Sequence, residues 1–253
     1  MLIDFLLSTN TNTCGSSLGT ISAKRRNCFE KITVHHGRPE CENCSHREFP
    51  QLRIDNFILL LQPTRIIPHK RIEKSIELAR RLGGDCGLLI THAAGDEGRD
   101  YQAYLHDYAA LLDVPMRIAA DRCNAGRGEA SNGEKTFSLF DAYLAADLVT
   151  YPSQIEGFGN ALLEAIYCRR PVVTSIYRIL KTDIQPKDFR LVEFDDTFRP
   201  DFVEQVRDLL QDSERVEEMV DHNYEIGRRF YSYSVLETQL KTVLQQSLGN
   251  GHS

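Results

Sequence analysis

No run of apolar residues in this chain reaches the ~18 positions that a membrane-spanning helix needs, so no α-helical span is expected. The opening MLIDFLLSTNT has an apolar patch but no basic stretch ahead of it, which argues against a secretory signal. Basic charge is not in excess: 30 Lys and Arg stand against 36 Asp and Glu, a formal net charge of −6. That balance gives no global field for nucleic acid or an anionic membrane surface, so an anionic ligand needs a local group of cations. A paired-knuckle zinc framework is also incomplete. Cys41 and Cys44 have C-x2-C spacing with His35, His36 and His46 nearby, but Cys14 and Cys28 stand far apart and no second C-x2-C exists. No metal or other cofactor is therefore expected. Cys86, Cys123 and Cys168 lie singly in regular segments and read as free thiols, as in a cytoplasmic protein. There is no internal repeat and no low-complexity tract.

What is present changes character near residue 50. Residues 1–50 form a Cys- and His-containing leader with little periodicity and are expected to be largely irregular. Residues 51–253 are expected to form a Rossmann-like domain. FILLLQ (57–62) reads as a buried strand, and IEKSIELARRL (72–82) carries a helical stripe at 72, 76, 79 and 82. CGLLITH (86–92), DYQAYLHDYAALL (100–112) and PMRIAAD (115–121) continue as strand, helix and weaker strand. A Gly/Asn/Ser-rich loop (124–133) follows. TFSLFDAYLAA then reads as helix, DLVTYPS as strand, NALLEAIYC as helix, PVVTS as strand and RLVEF as a last strand. Three charged helices close the chain between 200 and 247. The alternation predicts an α/β fold with a parallel sheet covered on both faces.

Ligands of such sheets bind where strands end and helices begin, and two junctions stand out. In LLLQPTRIIPHKRIEKSIELA, Arg65 and Lys70 lie between the first strand and its helix. Two cations at a helix N-terminus suit a diphosphate; two solvated surface cations are the plainer alternative. In DLVTYPSQIEGFGNALLEAIY, a strand delivers Glu156-Gly157-Phe158-Gly159, and a helix opens near Asn160. The glycines allow close backbone approach. Glu156 in the loop and Glu164 more than a turn into the helix each offer a carboxylate that can accept two hydroxyl hydrogen bonds from a sugar ring. A dinucleotide-binding G-x-G-x-x-G is absent after the first strand, where Gln62-Pro63-Thr64-Arg65 stands instead, so an NAD enzyme is set aside.

The string YPSQIEGFGNALLEA resembles the E-x7-E signature of retaining GT-B glycosyltransferases of family 4, and PTRIIPHK upstream resembles the same family's Arg…Lys segment. ITHAAGDEGRDY and DAYLAADLVTYPS are similar to one branch of it, and the likeness runs from about residue 57 to 240. The resemblance implies a C-terminal donor-binding half of a GT-B fold and a hexosyltransferase acting with retention. It assigns Arg65 and Lys70 to the donor diphosphate, and Glu156 to hydroxyls of the donor hexose. The backbone of Gly157, Phe158, Gly159 and Asn160 would contact sugar and phosphates, and Glu164 the ribose. Arg65, Lys70 and Glu156 carry the catalytic burden in that picture, the two cations by electrostatic stabilisation of the leaving diphosphate and the carboxylate by orienting the hexose. His92 and the Asp96-Glu97 pair follow the second strand and either line this site or cap the next helix. Arg122 and Asn124 stand after the third strand, near where such folds meet the base.

Two departures matter. The family usually has Gly after the Lys, and this chain has Arg71, which either strengthens a diphosphate site or obstructs it. A GT-B enzyme also has a first Rossmann-like domain, which residues 1–50 cannot build when one βαβ unit takes ~30 residues. The expected partners are therefore a nucleotide-diphosphate sugar, an unidentified acceptor and a partner chain supplying an N-terminal GT-B domain. A non-catalytic nucleotide-sugar-binding remnant is the alternative.

Overall fold

The computed structural model describes residues 57–249 apart from 84, 85, 96, 97, 125, 132 and 158. The 1–50 leader and its Cys41/Cys44 pair, Asp96-Glu97 and Phe158 thus lie outside the described residues. Among those described, no cluster of His, Cys, Asp and Glu suits a metal, and no helix is long and apolar enough to cross a membrane.

The elements are β1 (Ile58–Gln62), α1 (Ile72–Leu82), β2 (Cys86–Ile90), α2 (Arg99–Leu111) and β3 (Met116–Ile118). Next come β4 (Cys123–Asn124), β5 (Gly128–Glu129), β6 (Lys135–Ser138), α3 (Leu139–Ala145), β7 (Leu148–Tyr151), α4 (Asn160–Tyr167), β8 (Val172–Ser175) and β9 (Val192–Phe194). The chain closes with α5 (Pro200–Gln211), α6 (Ser213–Tyr231) and α7 (Tyr233–Gly249). The six long-range strands form one parallel sheet in the order β3-β2-β1-β7-β8-β9. This is a Rossmann-like α/β sheet, as the strand–helix alternation predicts. Its strand order reverses direction between β1 and β7, so the chain leaves a crevice above their C-terminal ends.

Period-two alternation sends side chains to both faces. Along β1, Leu60 enters the core under α1, α2 and α5, while Leu59 and Leu61 enter the core under α3 and α4. Each such leucine is almost fully buried, which stabilises the fold by about 1.5–3 kcal/mol apiece. In α1 the buried residues Ile72, Ile76, Ala79 and Leu82 are those of the sequence stripe.

Two expectations are corrected. The helix assigned to TFSLFDAYLAA starts only at Leu139, because Lys135–Ser138 is an extended strand. Ser138 ends that strand as an N-cap: its hydroxyl accepts from Asp141 N, and Asp141 accepts from Ser138 N. The 124–133 loop carries β5, which pairs antiparallel with β6, while β4 pairs with β6 in parallel. In addition, residues 180–187, which the sequence leaves unassigned, coil into short π and 3-10 turns after β8.

The loop after β1 rests on the loop after β2. Ile66 N donates to Ala93 O at 3.4 Å. A Cβ placed on Gly98 would meet Ile66 O at 2.1 Å, so this position must lack a side chain if the Arg65–Lys70 segment is to keep its seat. Gly98→Ala should therefore lower stability by roughly 1–3 kcal/mol through overpacking, read by chemical denaturation.

Candidate donor site at the strand-order switch

The crevice is built by the β1–α1 and β7–α4 loops, brought side by side because β1 pairs with β7 (Leu60 opposite Leu148, Leu61 opposite Val149). Beneath them lies a buried polar knot. The Ser75 hydroxyl from α1 lies 2.8 Å from Gln62 Oε1 and 2.9 Å from Thr150 Oγ1, and Gln62 Nε2 donates to Thr64 Oγ1 at 2.8 Å. This knot ties α1 and the ends of β1 and β7 into one unit. Above it, Gln154 N donates to His69 O at 2.9 Å, joining the two loops directly.

The sequence-predicted residues meet here in part. Lys70 Nζ donates to Glu156 Oε1 across 86 residues of chain. Their side chains are only 14% and 9% exposed. The ammonium lies 5.9 Å from the centroid of the Tyr151 ring, a cation–π distance. Burial first, and then the Glu156 charge, push the Tyr151 phenol well above its ordinary range, so it stays protonated. Arg65 lies exposed on the outer part of the same loop. Beside it His92 is half-buried, with Nδ1 2.8 Å from Thr91 Oγ1. Burial first, and then the Arg65 charge, hold its imidazole below the usual range.

The two helix N-termini differ. Ile72 N, the first amide of α1, donates to the Tyr101 hydroxyl at 2.7 Å, and that hydroxyl donates to Glu73. The α1 end thus has one amide already satisfied by protein. Helix α4 begins after Gly159 with no side-chain cap and no acid in its first turn, leaving N–H groups and their partial positive charge facing the crevice. Gly159 has φ 85° and ψ 57°, and a Cβ there would lie 3.2 Å from Tyr177 Oη and 3.3 Å from Tyr151 Oη. The left-handed backbone favours glycine, and a Cβ would press against both phenol oxygens. Gly157 and Asn160 are exposed on either side of this turn.

Arg71 takes the left-handed conformation, φ 51° and ψ 44°, which glycine adopts without cost. Its guanidinium turns to Asp196 after β9, with 3.2 Å contacts to a carboxylate and a carbonyl oxygen. Arg122 is likewise committed, donating to Lys135 O and pairing with Glu134; Asn124 is exposed in β4.

Glu164 projects from α4, where its Oε2 accepts from the Tyr143 hydroxyl at 2.8 Å. Sequence reasoning missed Tyr143, Tyr151 and Tyr177. Their only signal was a tyrosine at the end of a strand or inside an apolar helix, which core packing explains equally well.

With this geometry in hand, residues 133–226 match the sequence model of the glycosyl transferases group 1 family. Over those residues the chain is thus similar to group 1 glycosyl transferases, on a Rossmann-like fold. The particular relatives are mannosylglucosylglycerate synthases. That of Thermotoga maritima is 33% identical over 229 residues, covering 78% of this chain and 51% of the relative. That of Petrotoga mobilis is 33% identical over 202 residues, covering 70% and 46%. The chain spans about half the length of these relatives. Among solved structures, Anabaena HepE in complex with UDP-glucose aligns with TM-score 0.61 at 15% identity, over 76% of this chain and 49% of that one. The C-terminal domain of a Francisella tularensis group 1 glycosyl transferase (LpcC) aligns with TM-score 0.52 at 17% identity, over 70% and 87%.

Burial raises the Glu164 carboxyl above its ordinary 4.5, and the Tyr143 hydrogen bond offsets this only in part. A raised carboxyl holds more proton folded than unfolded. Its ionisation therefore removes stability as pH rises from the ordinary value through the raised one. Glu164→Gln keeps an acceptor for Tyr143 and cannot ionise. It should melt above the wild type near pH 7, with the difference closing below about pH 4.5, read by thermal unfolding across that range.

Proposed function

We propose that this chain is the donor-binding part of a family 4 glycosyltransferase that moves a hexose from a nucleotide diphosphate with retention. The observation that carries this is the convergence of Lys70 and Glu156, cation and carboxylate, at the β1/β7 switch point in front of the open α4 N-terminus. Arg65 and Lys70 hold the diphosphate and stabilise negative charge as it departs. The backbone from Gly157 through Phe158 and Gly159 to Asn160 receives phosphates and sugar. Glu156 holds hexose hydroxyls and Glu164 the ribose. The names of the relatives make mannosyl transfer onto glucosylglycerate the reaction to assay first. The acceptor side is supplied by an N-terminal GT-B domain on a partner chain, in a cytoplasmic setting. A second reading is a nucleotide-sugar-binding module without turnover.

Calorimetric titration with UDP, GDP and ADP, then with their glucose and mannose conjugates, tests the reading. One nucleotide should bind, and Arg65→Ala/Lys70→Ala should abolish that binding. Glu164→Ala should weaken the conjugate by about 1–3 kcal/mol through lost charge-assisted hydrogen bonds. Unchanged affinity in that variant refutes the ribose assignment. Turnover by the chain alone, against turnover only with a complementing domain or none, separates the two readings.

A further inference from the structure

We infer that Glu156 is the built-in counterion of Lys70, and that this pairing makes the site discriminate the sugar-loaded nucleotide from the spent one. The inference rests on the donor-site reading above.

Lys70 is not an open cation. Its ammonium donates to Glu156, and both side chains are largely withdrawn from water. The pair is held from two directions. The Tyr151 ring centroid lies 5.9 Å from the ammonium, and the Gln154–His69 backbone bond joins the two loops that carry the pair. Glu156 therefore does not swing away without losing the Lys70 donor.

A diphosphate approaching Lys70 meets a neutralised pair with a fixed carboxylate beside it. Phosphate oxygens offer only acceptors at neutral pH, so a free nucleotide diphosphate sets its negative charge against Glu156 and returns nothing to it. A nucleotide sugar brings hexose hydroxyls, which are donors. These replace, at the carboxylate, the hydrogen bond that Lys70 transfers to the phosphate. One carboxylate thus disfavours the product nucleotide and favours the substrate. Arg65, exposed on the outer loop, adds attraction to both ligands alike and does not supply this contrast.

Glu156→Gln tests it, because the amide keeps the shape and removes the charge. With the nucleotide that the wild type selects from UDP, GDP and ADP, the variant should bind the bare diphosphate roughly threefold to tenfold tighter. It should bind the hexose conjugate (UDP-glucose, GDP-mannose or ADP-glucose) more weakly. The opposite signs are the signature. Glu156→Asp, which retracts the carboxylate by one methylene, should show the same split at smaller size and guards against a folding defect in the first variant; thermal unfolding checks both. If diphosphate and conjugate weaken together, or neither changes, the counterion role is overturned while the donor site stands. If the wild type binds none of the nucleotides, the donor-site reading itself is overturned and the inference falls with it.

Discussion

The parallel pairing of β1 with β7 is the constraint from which the rest follows. Each strand is followed by a loop and a helix on its own face of the sheet, and the strand order turns back between them. Two loops that the sequence separates by more than eighty residues are thereby forced to share one opening. Only this makes a bond between Lys70 and Glu156 possible. The register matters as much as the neighbour, since a one-residue slip would send Leu60 and Leu61 to the wrong cores and Gln62 out of the polar knot.

Elements with strong periodicity were legible. The stripe of IEKSIELARRL gave α1 to the residue, because an amphipathic segment ending at Gly83 has one helical solution. The short strands β4 and β5 were not legible, since two-residue strands carry no alternation to read. Thr136–Ser138 was drawn into a helix because Phe137 extends the apolar spacing of the segment behind it. The Ser138-x-x-Asp141 capping box was the signal that marked the true start. At the site, Arg65, Lys70, Glu156 and Glu164 were legible as residue types at strand–helix junctions. Their partners were not: Tyr143 reaches Glu164 from another helix, and the Tyr151 ring meets the Lys70 ammonium from the strand below. Such contacts are products of tertiary packing, and no local pattern encodes them.

Arg71 shows how a departure from a family pattern is absorbed. The backbone turn between Lys70 and α1 remains left-handed, as it would with glycine, so the geometry of the loop is kept at a conformational cost. The long side chain binds Asp196 after β9. The positive charge that appears in the sequence to reinforce the site is thus paired with a carboxylate of this chain. Anion attraction then falls to Lys70, Arg65 and the uncapped start of α4, whereas α1 has its first amide bonded to Tyr101.

The polar knot under the crevice explains why the loops meet with such accuracy. Gln62, Ser75 and Thr150 are almost wholly buried, where apolar side chains would seem the cheaper choice. Hydrocarbon contacts tolerate sliding by a fraction of a side chain, but hydrogen bonds of 2.8–2.9 Å do not. Ser75 belongs to α1, Gln62 to β1 and Thr150 to β7, so the knot fixes three elements at the point where both loops depart. Lys70 lies five residues before Ser75, and Glu156 six residues after Thr150. A short, directional network at the base of two loops is what lets two charges at their tips meet without water between them.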